Sequence, residues 1–258
     1  MEFEYKGHTI KYQSQGSLGT PMVCVHGASS DRRIWNSMLN LAGNQRIITL
    51  DLLGHGESDQ PEGIEYDDTL WANSTEALLD KIGIEKAVFV THSYGVVIMK
   101  RFYSLFPERV SAWVLLDGKV NMALSKGVHE WMTQTLQRSD YTEFMKNLQA
   151  SHKDPFLSEA AQDLVAQGAV TTPSYVLKGQ LHSLLKNHLY DIHIEVPVLA
   201  VYRNNTCDWT EGDEVYLKEH TQDLELHVMD ETSHFMMLHQ PTAVWGLIEK
   251  FIKRHPSL

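Results

Sequence analysis

The chain has 258 residues, and hydrophobic residues make up 43% of it. This length and composition fit one large globular domain and exclude a fibrous or disordered chain. The formal net charge of -11 comes without a basic stripe, so nucleic acid and anionic membranes are not expected as partners. Two cysteines, Cys24 and Cys207, cannot form a disulfide framework. With no signal-peptide pattern and no apolar stretch long enough to span a bilayer, the expectation is a cytoplasmic protein.

The first 118 residues predict strands that alternate with helices. Short apolar runs bounded by Gly or Pro are typical of fully buried strands. Strands and helices that alternate through short loops indicate a parallel sheet covered by helices on both faces. The expected elements are a hairpin over 3–13, strands over 22–25, 46–50, 87–90 and 112–116, and helices around 35–41, over 67–82 and from the end of segment 91–95 to about 106.

The alternation stops after the strand at 112–116. No convincing strand follows until 196, and a structureless loop of that length is improbable inside a compact domain. Helical stretches are expected instead over 128–137, 141–148, 158–167 and 173–185. Strands over 196–202 and 224–229 and an amphipathic helix over 241–253 complete the chain. The organisation predicted is therefore a core in two parts, 1–118 and 194–258, with a helical cap over 119–193.

The segment Thr91-His92-Ser93-Tyr94-Gly95 lies between a predicted buried strand and a helix. A sharp strand-to-helix turn there exposes the hydroxyl of Ser93 at the edge of the sheet and points the helix N-terminus at the same place. The small Gly95 suits the close crossing of strand and helix. An ordinary helix N-cap is the alternative interpretation of Ser93.

A serine hydroxyl is a poor nucleophile unless a base, oriented by a carboxylate, takes its proton. The candidate base is His234, which follows the last predicted strand. Three carboxylates compete for the orienting role, and we favour Asp208 because it follows the predicted strand 196–202, where a site would lie. Asp117, after the strand 112–116, is the second candidate. Asp230 is interpreted as a turn residue.

The developing oxyanion needs two hydrogen-bond donors. The sequence His26-Gly27-Ala28 follows a buried strand and offers the backbone N–H of Ala28. The backbone N–H of Tyr94, at the head of the next helix, is the second donor. The alternative for Gly27 is a simple tight turn.

These motifs together resemble the α/β-hydrolase superfamily, in its small cap-bearing branch of esterases, lactonases and C–C hydrolases. The motifs are His26-Gly27-Ala28, the stretch from Asp51 to Asp59, His92-Ser93-Tyr94-Gly95, and Ser233-His234-Phe235 with Pro241. The resemblance covers nearly the whole chain. It implies an α/β fold with a mostly parallel eight-stranded sheet, helices on both faces and a helical cap.

The resemblance also implies roles for individual residues. It makes Ser93 the nucleophile, His234 the base and Asp208 the acid, with oxyanion donors at Ala28 and Tyr94. The stretch 51–59 is a shaping loop in the family. Two departures are Thr91, which stands where a glycine is usual, and a loop before Asp208 that lacks a common glycine.

The cap contributes apolar side chains that could line a substrate pocket. With Met236 and Met237 beside His234, they predict an adaptable apolar wall for a small to medium substrate. Packing of the cap onto the sheet is the alternative for each of them. The residues are Met122, Trp131, Met132, Phe144 and Met145, of which Trp131, Met132 and Met236 are the preferred substrate contacts.

Three functions remain open from the sequence. The first is a serine hydrolase that cleaves a carboxylic ester or lactone through an acyl-enzyme on Ser93. The second is C–C bond hydrolysis, hydroxynitrile lysis or cofactor-free oxygenation, driven by His234 and its carboxylate. The third is a small-molecule receptor with little turnover. The spacing of His, Asp and Glu matches no metal motif and no phosphate-cradling glycine loop is present, so no metal or cofactor is expected. The expected partner is a small-molecule substrate, and a homodimer is left open.

Overall fold

The computed structural model describes residues 1–121, 126–150, 154–186, 192–204, 211–256 and 258. In this part of the chain, eight strands form one sheet in the order β1-β2-β4-β3-β5-β6-β7-β8. The strands are β1 (Glu2–Tyr5), β2 (His8–Gln15), β3 (Leu18–Val25), β4 (Gln45–Leu50), β5 (Ala87–His92), β6 (Val110–Leu116), β7 (Val198–Arg203) and β8 (Leu224–Met229). The helices are α1 (Asn36–Leu41), α2 (Asp68–Lys81), α3 (Tyr94–Leu105), α4 (Lys126–Leu136), α5 (Tyr141–Ala150), α6 (Glu159–Thr171), α7 (Ser174–Lys186), α8 (Glu211–His220), α9 (Met236–His239) and α10 (Pro241–Arg254).

The sheet is antiparallel at one end and parallel elsewhere. Strand β2 pairs antiparallel with β1 and β4, and every pair from β4 through β3, β5, β6 and β7 to β8 is parallel. The chain leaves β3 for β4 on one side and then crosses to β5 on the other. Such a switch in strand order opens a crevice outside the carboxyl ends of the strands, where ligands bind in open α/β sheets.

Both faces of the sheet are buried, as the continuous apolar strands require. In β3, Val23 and Val25 pack in the cluster that includes residues of α2 and α3. The alternate residues Met22 and Cys24 pack in the opposite cluster, which includes residues of α1 and α10. The sheet is therefore a rigid middle layer that holds the loops at its carboxyl edge in fixed positions.

The helices that cover the sheet begin at recognisable signals. Asp67 caps α2, because its carboxylate accepts a 2.7 Å hydrogen bond from the backbone N–H of Leu70. Helix α10 begins at Pro241, a position where the missing N–H costs no helical hydrogen bond. Its buried residues Val244, Ile248 and Phe251 recur at helical spacing and face the sheet.

The predicted fold class, an α/β-hydrolase fold with an eight-stranded sheet, is confirmed. The four helices α4 to α7 lie between β6 and β7, within a few residues of the helical stretches expected there, and we call them the helical insertion. Two helices that the sequence analysis did not anticipate, α8 and α9, flank β8. None of the described helices is both long and apolar enough to cross a bilayer.

Candidate functional site

The turn at Ser93 has the geometry that the sequence predicts. Ser93 follows the last residue of β5 and precedes α3, with φ 53° and ψ −121°. A non-glycine residue in this region is strained by about 1–3 kcal/mol and persists only where its surroundings hold it. Its backbone N–H donates a 3.1 Å hydrogen bond to the carbonyl of Leu116 at the end of β6. The turn therefore presents the half-buried side chain of Ser93 at the carboxyl edge of the sheet.

Three glycines lie in tight packing at or next to this turn. A Cβ on Gly95 would lie 2.7 Å from the carbonyl oxygen of Val25, and one on Gly118 would lie 2.5 Å from that of Ser93. A Cβ on Gly27 would lie 2.8 Å from Cβ of Ser93. All three distances are shorter than real Cβ contacts, so no side chain fits at these positions without a shift. The same packing brings the 26–28 loop alongside the serine.

Thr91 does not crowd the turn, although a glycine is usual there. Thr91 belongs to β5, and its side chain is fully buried. The hydroxyl accepts a 2.8 Å hydrogen bond from Nε1 of Trp113 and donates one of 3.2 Å to the carbonyl of Val114. The hydroxyl thus ties the end of β5 to the neighbouring strand.

His234 lies in the loop after β8, and its ring is paired with a buried carboxylate. Nδ1 of His234 is 2.6 Å from Oδ2 of Asp117, whose side chain is fully buried. Because a carboxylate can only accept, Nδ1 carries the proton and Nε2 is left as the basic nitrogen. This is the tautomer that a general base for a serine hydroxyl requires.

Asp117 is held in place by Arg203 as well as by His234. The backbone N–H of Arg203 donates a 3.0 Å hydrogen bond to Oδ1, and its guanidinium Nε donates to Oδ2. Burial alone would raise the pKa of the Asp117 carboxyl, but the hydrogen bonds and electrostatic attraction of His234, and then those of Arg203, outweigh it and lower that pKa. The carboxylate therefore stays ionised beside the histidine ring.

The structure describes one of the two leading candidate acids. Asp208, the first candidate, lies outside the described residues. Asp117, the second candidate, makes the hydrogen bond to His234 that the orienting role requires. Its position at the end of β6, next to β5, brings it close to Ser93 without any contribution from the loop after β7. Asp230 is exposed and accepts a 2.6 Å hydrogen bond from the Asn204 side chain, as suits a turn residue.

His92, next to Ser93 in sequence, supports the loop of His234. Its ring is buried, with its centre 4.6 Å from that of the His234 ring. Burial, and then the neighbouring His234, lower the pKa of His92 well below its ordinary value, so the ring is neutral. Its Nε2–H donates a 2.9 Å hydrogen bond to the backbone carbonyl of His234. Sequence reasoning missed this contact and that of Arg203, although both residues lie at strand ends on the site's edge of the sheet.

The two predicted oxyanion donors are placed around the same serine. Ala28 is exposed and follows Gly27 in the loop packed against Ser93. Tyr94 is the first residue of α3, so its N–H has no acceptor within the helix. The 26–28 loop is fixed by the buried His26, whose Nδ1–H donates to the carbonyl of Gly27 at 2.8 Å.

Residues 51–59 support the 26–28 loop, in line with the shaping role expected of them. Nε2 of His26 accepts a 3.1 Å hydrogen bond from the backbone N–H of Leu52. The buried carboxylate of Asp51 accepts a 2.9 Å hydrogen bond from the backbone N–H of Glu57 and packs against Gly56, where a Cβ would lie 2.5 Å from its Cγ. No catalytic group is needed here to explain the sequence motif.

The expected pocket residues have different environments. Met236 is fully buried in the cluster between the sheet, α1 and α10, as the core-packing alternative requires, and its substrate contact stays a prediction. Met237 lies in the same cluster. On α4, Met132 is buried and Trp131 is 43% exposed. Met122 and the side chain of Met145 lie outside the described residues, and Arg138 stacks 4.1 Å above the ring of Phe144.

The helical insertion contacts the core through polar side chains of α7. Nε2 of Gln180 donates to Nε2 of His55 at 3.2 Å, and Ser183 donates to Oδ1 of Asp68 at 3.1 Å. Burial, and then the nearby His26, lower the pKa of His55 to about 3. The neutral ring is thus an acceptor for the insertion throughout the physiological pH range.

Comparison with known proteins identifies the family of the chain. The model of the alpha/beta hydrolase family matches residues 22–246. The chain belongs to the alpha/beta hydrolase family. The prediction of an alpha/beta hydrolase is thereby confirmed.

Individual relatives of this alpha/beta hydrolase differ in their named activities. Human epoxide hydrolase 4 is 24% identical over an alignment of 283 residues, gaps included. The alignment spans 96% of this chain and 76% of that protein. Other curated relatives match over a short segment. The chain covers about a third of their length, as in a protein of Bacillus subtilis (strain 168) that is 33% identical over 95 residues, or 36% of this chain and 35% of that one.

Solved structures share the fold over nearly the whole chain. An epoxide hydrolase from Bacillus megaterium superposes with a TM-score of 0.81 at 18% identity, over 98% of this chain and 100% of that one. Est816, described as an N-acyl homoserine lactone degrading enzyme, superposes with a TM-score of 0.76 at 23% identity, over 97% and 100% of the two chains. At these identities the likeness shows the fold alone.

Proposed function

We propose that this alpha/beta hydrolase cleaves a carboxylic ester or lactone of small to medium apolar character through an acyl-enzyme on Ser93. The observation that carries the proposal is the strained turn at Ser93 beside the 2.6 Å pair of His234 and Asp117. In this proposal His234 is the general base and Asp117 is the acid that orients it. Ala28 and Tyr94 supply the oxyanion N–H donors.

In the first half of the reaction, Oγ of Ser93 attacks the carbonyl carbon while Nε2 of His234 takes its proton. The carbonyl electron pair moves to oxygen, where the backbone N–H groups of Ala28 and Tyr94 stabilise the charge. The intermediate then collapses, the C–O bond to the leaving group breaks, and the alkoxide takes the proton from His234. With a lactone, the released hydroxyl stays attached to the acyl group.

The second half regenerates the enzyme with water as the nucleophile. His234 takes a proton from water, and the resulting hydroxide attacks the acyl carbon. When the ester bond to Ser93 breaks, its oxygen recovers the proton from His234 and the carboxylic acid leaves. Asp117 remains ionised throughout and stabilises the imidazolium that forms in each half. These steps use only the named side chains, the backbone and water.

The identity of the residue at the turn favours acyl transfer over epoxide opening. If Ser93 attacked an epoxide carbon, the product would be an alkyl ether of serine, which water does not hydrolyse under mild conditions. Attack on an acyl carbon gives an ester, which the same histidine and a water molecule can cleave. A carboxylate at the turn would be needed for a hydrolysable intermediate from an epoxide, and this chain has a serine there.

The experiment compares wild type and Ser93→Ala on a panel of acyl esters of increasing chain length, lactones and an aryl epoxide. The proposal expects turnover of esters or lactones, with apolar acyl groups preferred, and a loss of about 10³-fold or more in the variant. A variant that retains most of its turnover would point to base-driven chemistry by His234. Saturable binding without turnover by wild type would point to a receptor. Either outcome would overturn the proposal.

A further inference from the structure

The loop that carries His234 is held by a residue of the helical insertion. Asp154 lies between α5 and α6, and its Oδ2 accepts a 2.6 Å hydrogen bond from Oγ of Ser233. Ser233 immediately precedes His234 and is fully buried. A hydrogen bond between a hydroxyl and an ionised carboxylate is among the stronger ones in proteins. It joins residues 79 positions apart in the chain.

Both ends of this contact are fixed by further hydrogen bonds. The other carboxylate oxygen of Asp154, Oδ1, accepts a 3.0 Å hydrogen bond from the backbone N–H of Phe156. On the other side, Oγ of Ser233 accepts a 2.8 Å hydrogen bond from the backbone N–H of Phe235. The hydroxyl of Ser233 thus links the residues on either side of His234 to each other and donates its single O–H to Asp154. Neither end can rotate away without breaking a second bond.

A ring contact lies close to the same hydrogen bonds. The ring centre of Phe156 is 5.4 Å from that of His239, in the helix that follows the His234 loop. The short segment 154–157 therefore contacts both the His234 loop and the helix that follows it. We propose that Asp154 is a positioning residue that fixes the catalytic geometry of His234 through Ser233, so that seating of the helical insertion and placement of the base are coupled. This inference rests on the proposed function, in which His234 is the base.

The test compares Asp154→Ala with a control variant, Gln167→Ala, that removes a different hydrogen bond between the helical insertion and the core. Gln167 lies on α6 of the same helical insertion, and its side chain accepts an exposed 3.0 Å hydrogen bond from the guanidinium of Arg33. The variant Gln167→Ala removes that bond. The measurements are kcat and KM on the best ester from the panel, the rate at which a small fluorophosphonate modifies Ser93, and the thermal midpoint.

The proposal expects Asp154→Ala to lower kcat and the rate of Ser93 modification by about 10-fold to 100-fold, since small misplacements of a catalytic group are costly. KM should change much less. Gln167→Ala should leave kcat and the modification rate unchanged. Asp154→Asn retains an oxygen acceptor for Ser233 and should recover part of the rate. In the Asp154→Ala background, Ser233→Ala should lower kcat by a smaller factor than it does in wild type, because the bond between the two side chains is already gone.

Equal kcat in wild type and Asp154→Ala would overturn the inference, as would equal losses in the Asp154 and Gln167 variants. If Asp154→Ala does not fold, the Asp154→Asn and Ser233→Ala variants make the same comparison. Failure of the proposed function looks different, because wild type itself would then not be modified at Ser93. If the fluorophosphonate modified Ser93 normally in wild type and in the Asp154 and Ser233 variants alike, the coupling between the insertion and His234 would be refuted. The proposed acyl-enzyme on Ser93 would still stand.

Discussion

Acidification from pH 7 to pH 5 should destabilise the fold through its buried histidines. His55 is fully buried, and its pKa is lowered to about 3. In the unfolded chain the same side chain titrates near pH 6.5, so below that pH the unfolded state binds a proton that the folded state does not. Stability is therefore lost as the pH falls from about 6.5. Over the 1.5 units down to pH 5, His55 alone contributes about 2 kcal/mol at 1.36 kcal/mol per unit.

Burial lowers the pKa of His26 and His92 as well, so both act in the same direction. The contribution of His55 alone, about 2 kcal/mol, is already a substantial fraction of the 5–15 kcal/mol by which folded domains are stable. The pKa of Asp117 is lowered too, but its contribution is present above the unfolded value of about 3.9 and is lost only as the pH falls through the folded value. It therefore lies outside the window from pH 7 to pH 5.

The assay is urea unfolding followed by tryptophan fluorescence at pH 7.0 and pH 5.0. His55→Gln removes the titrating ring and keeps a side chain that can accept from Gln180, so its loss of stability between the two pH values should be smaller than in wild type by about 2 kcal/mol. His129, exposed on α4, provides the matched control, and His129→Gln should show the wild-type pH dependence. Identical pH dependence in wild type and His55→Gln would refute the reasoning.

Two further predictions concern the candidate acids and the turn. Asp117→Asn should lower kcat by about 10⁴-fold and Asp208→Asn by less than 10-fold, because Asp117 is the carboxylate paired with the base. If steady-state kinetics showed the larger loss for Asp208→Asn, the orienting role would belong to Asp208. Gly95→Ala should destabilise the fold and lower activity, because its Cβ would lie 2.7 Å from the carbonyl of Val25. Gly127→Ala, in open space on α4, should instead be neutral or stabilising by up to about 1 kcal/mol. Equal unfolding midpoints for the two alanine variants would contradict this account of the turn.

Much of the fold could be predicted because apolar runs and glycines report on local structure. The strands with continuous apolar runs were found, and the turn at Ser93 followed from its place between strand and helix. The start of β3 was not found, because Leu18 and the next residues are exposed and carry no apolar run. Helices α8 and α9 were missed for a similar reason, since one is largely polar and the other has only four residues.

The candidate site was predictable only as far as local pattern reaches. Ser93 and His234 stand in recognisable segments, whereas the choice between Asp117 and Asp208 depends on which loop reaches the histidine ring. Both carboxylates follow strands, so the sequence pattern does not separate them. The contact of Asp154 with Ser233 depends on how the helical insertion folds back onto the core, and no periodic signal marks it.

The most direct test of the central claim, an activated serine at Ser93, is intact-mass spectrometry after exposure to a small fluorophosphonate, with peptide mapping of the product. The account predicts a single adduct on Ser93 that forms much more slowly in His234→Ala and in Asp117→Asn. An adduct that forms at the same rate in those variants would mean that the serine is not activated by the pair. Folded wild-type protein that acquires no adduct, or acquires one elsewhere, would contradict the claim that Ser93 is the nucleophile.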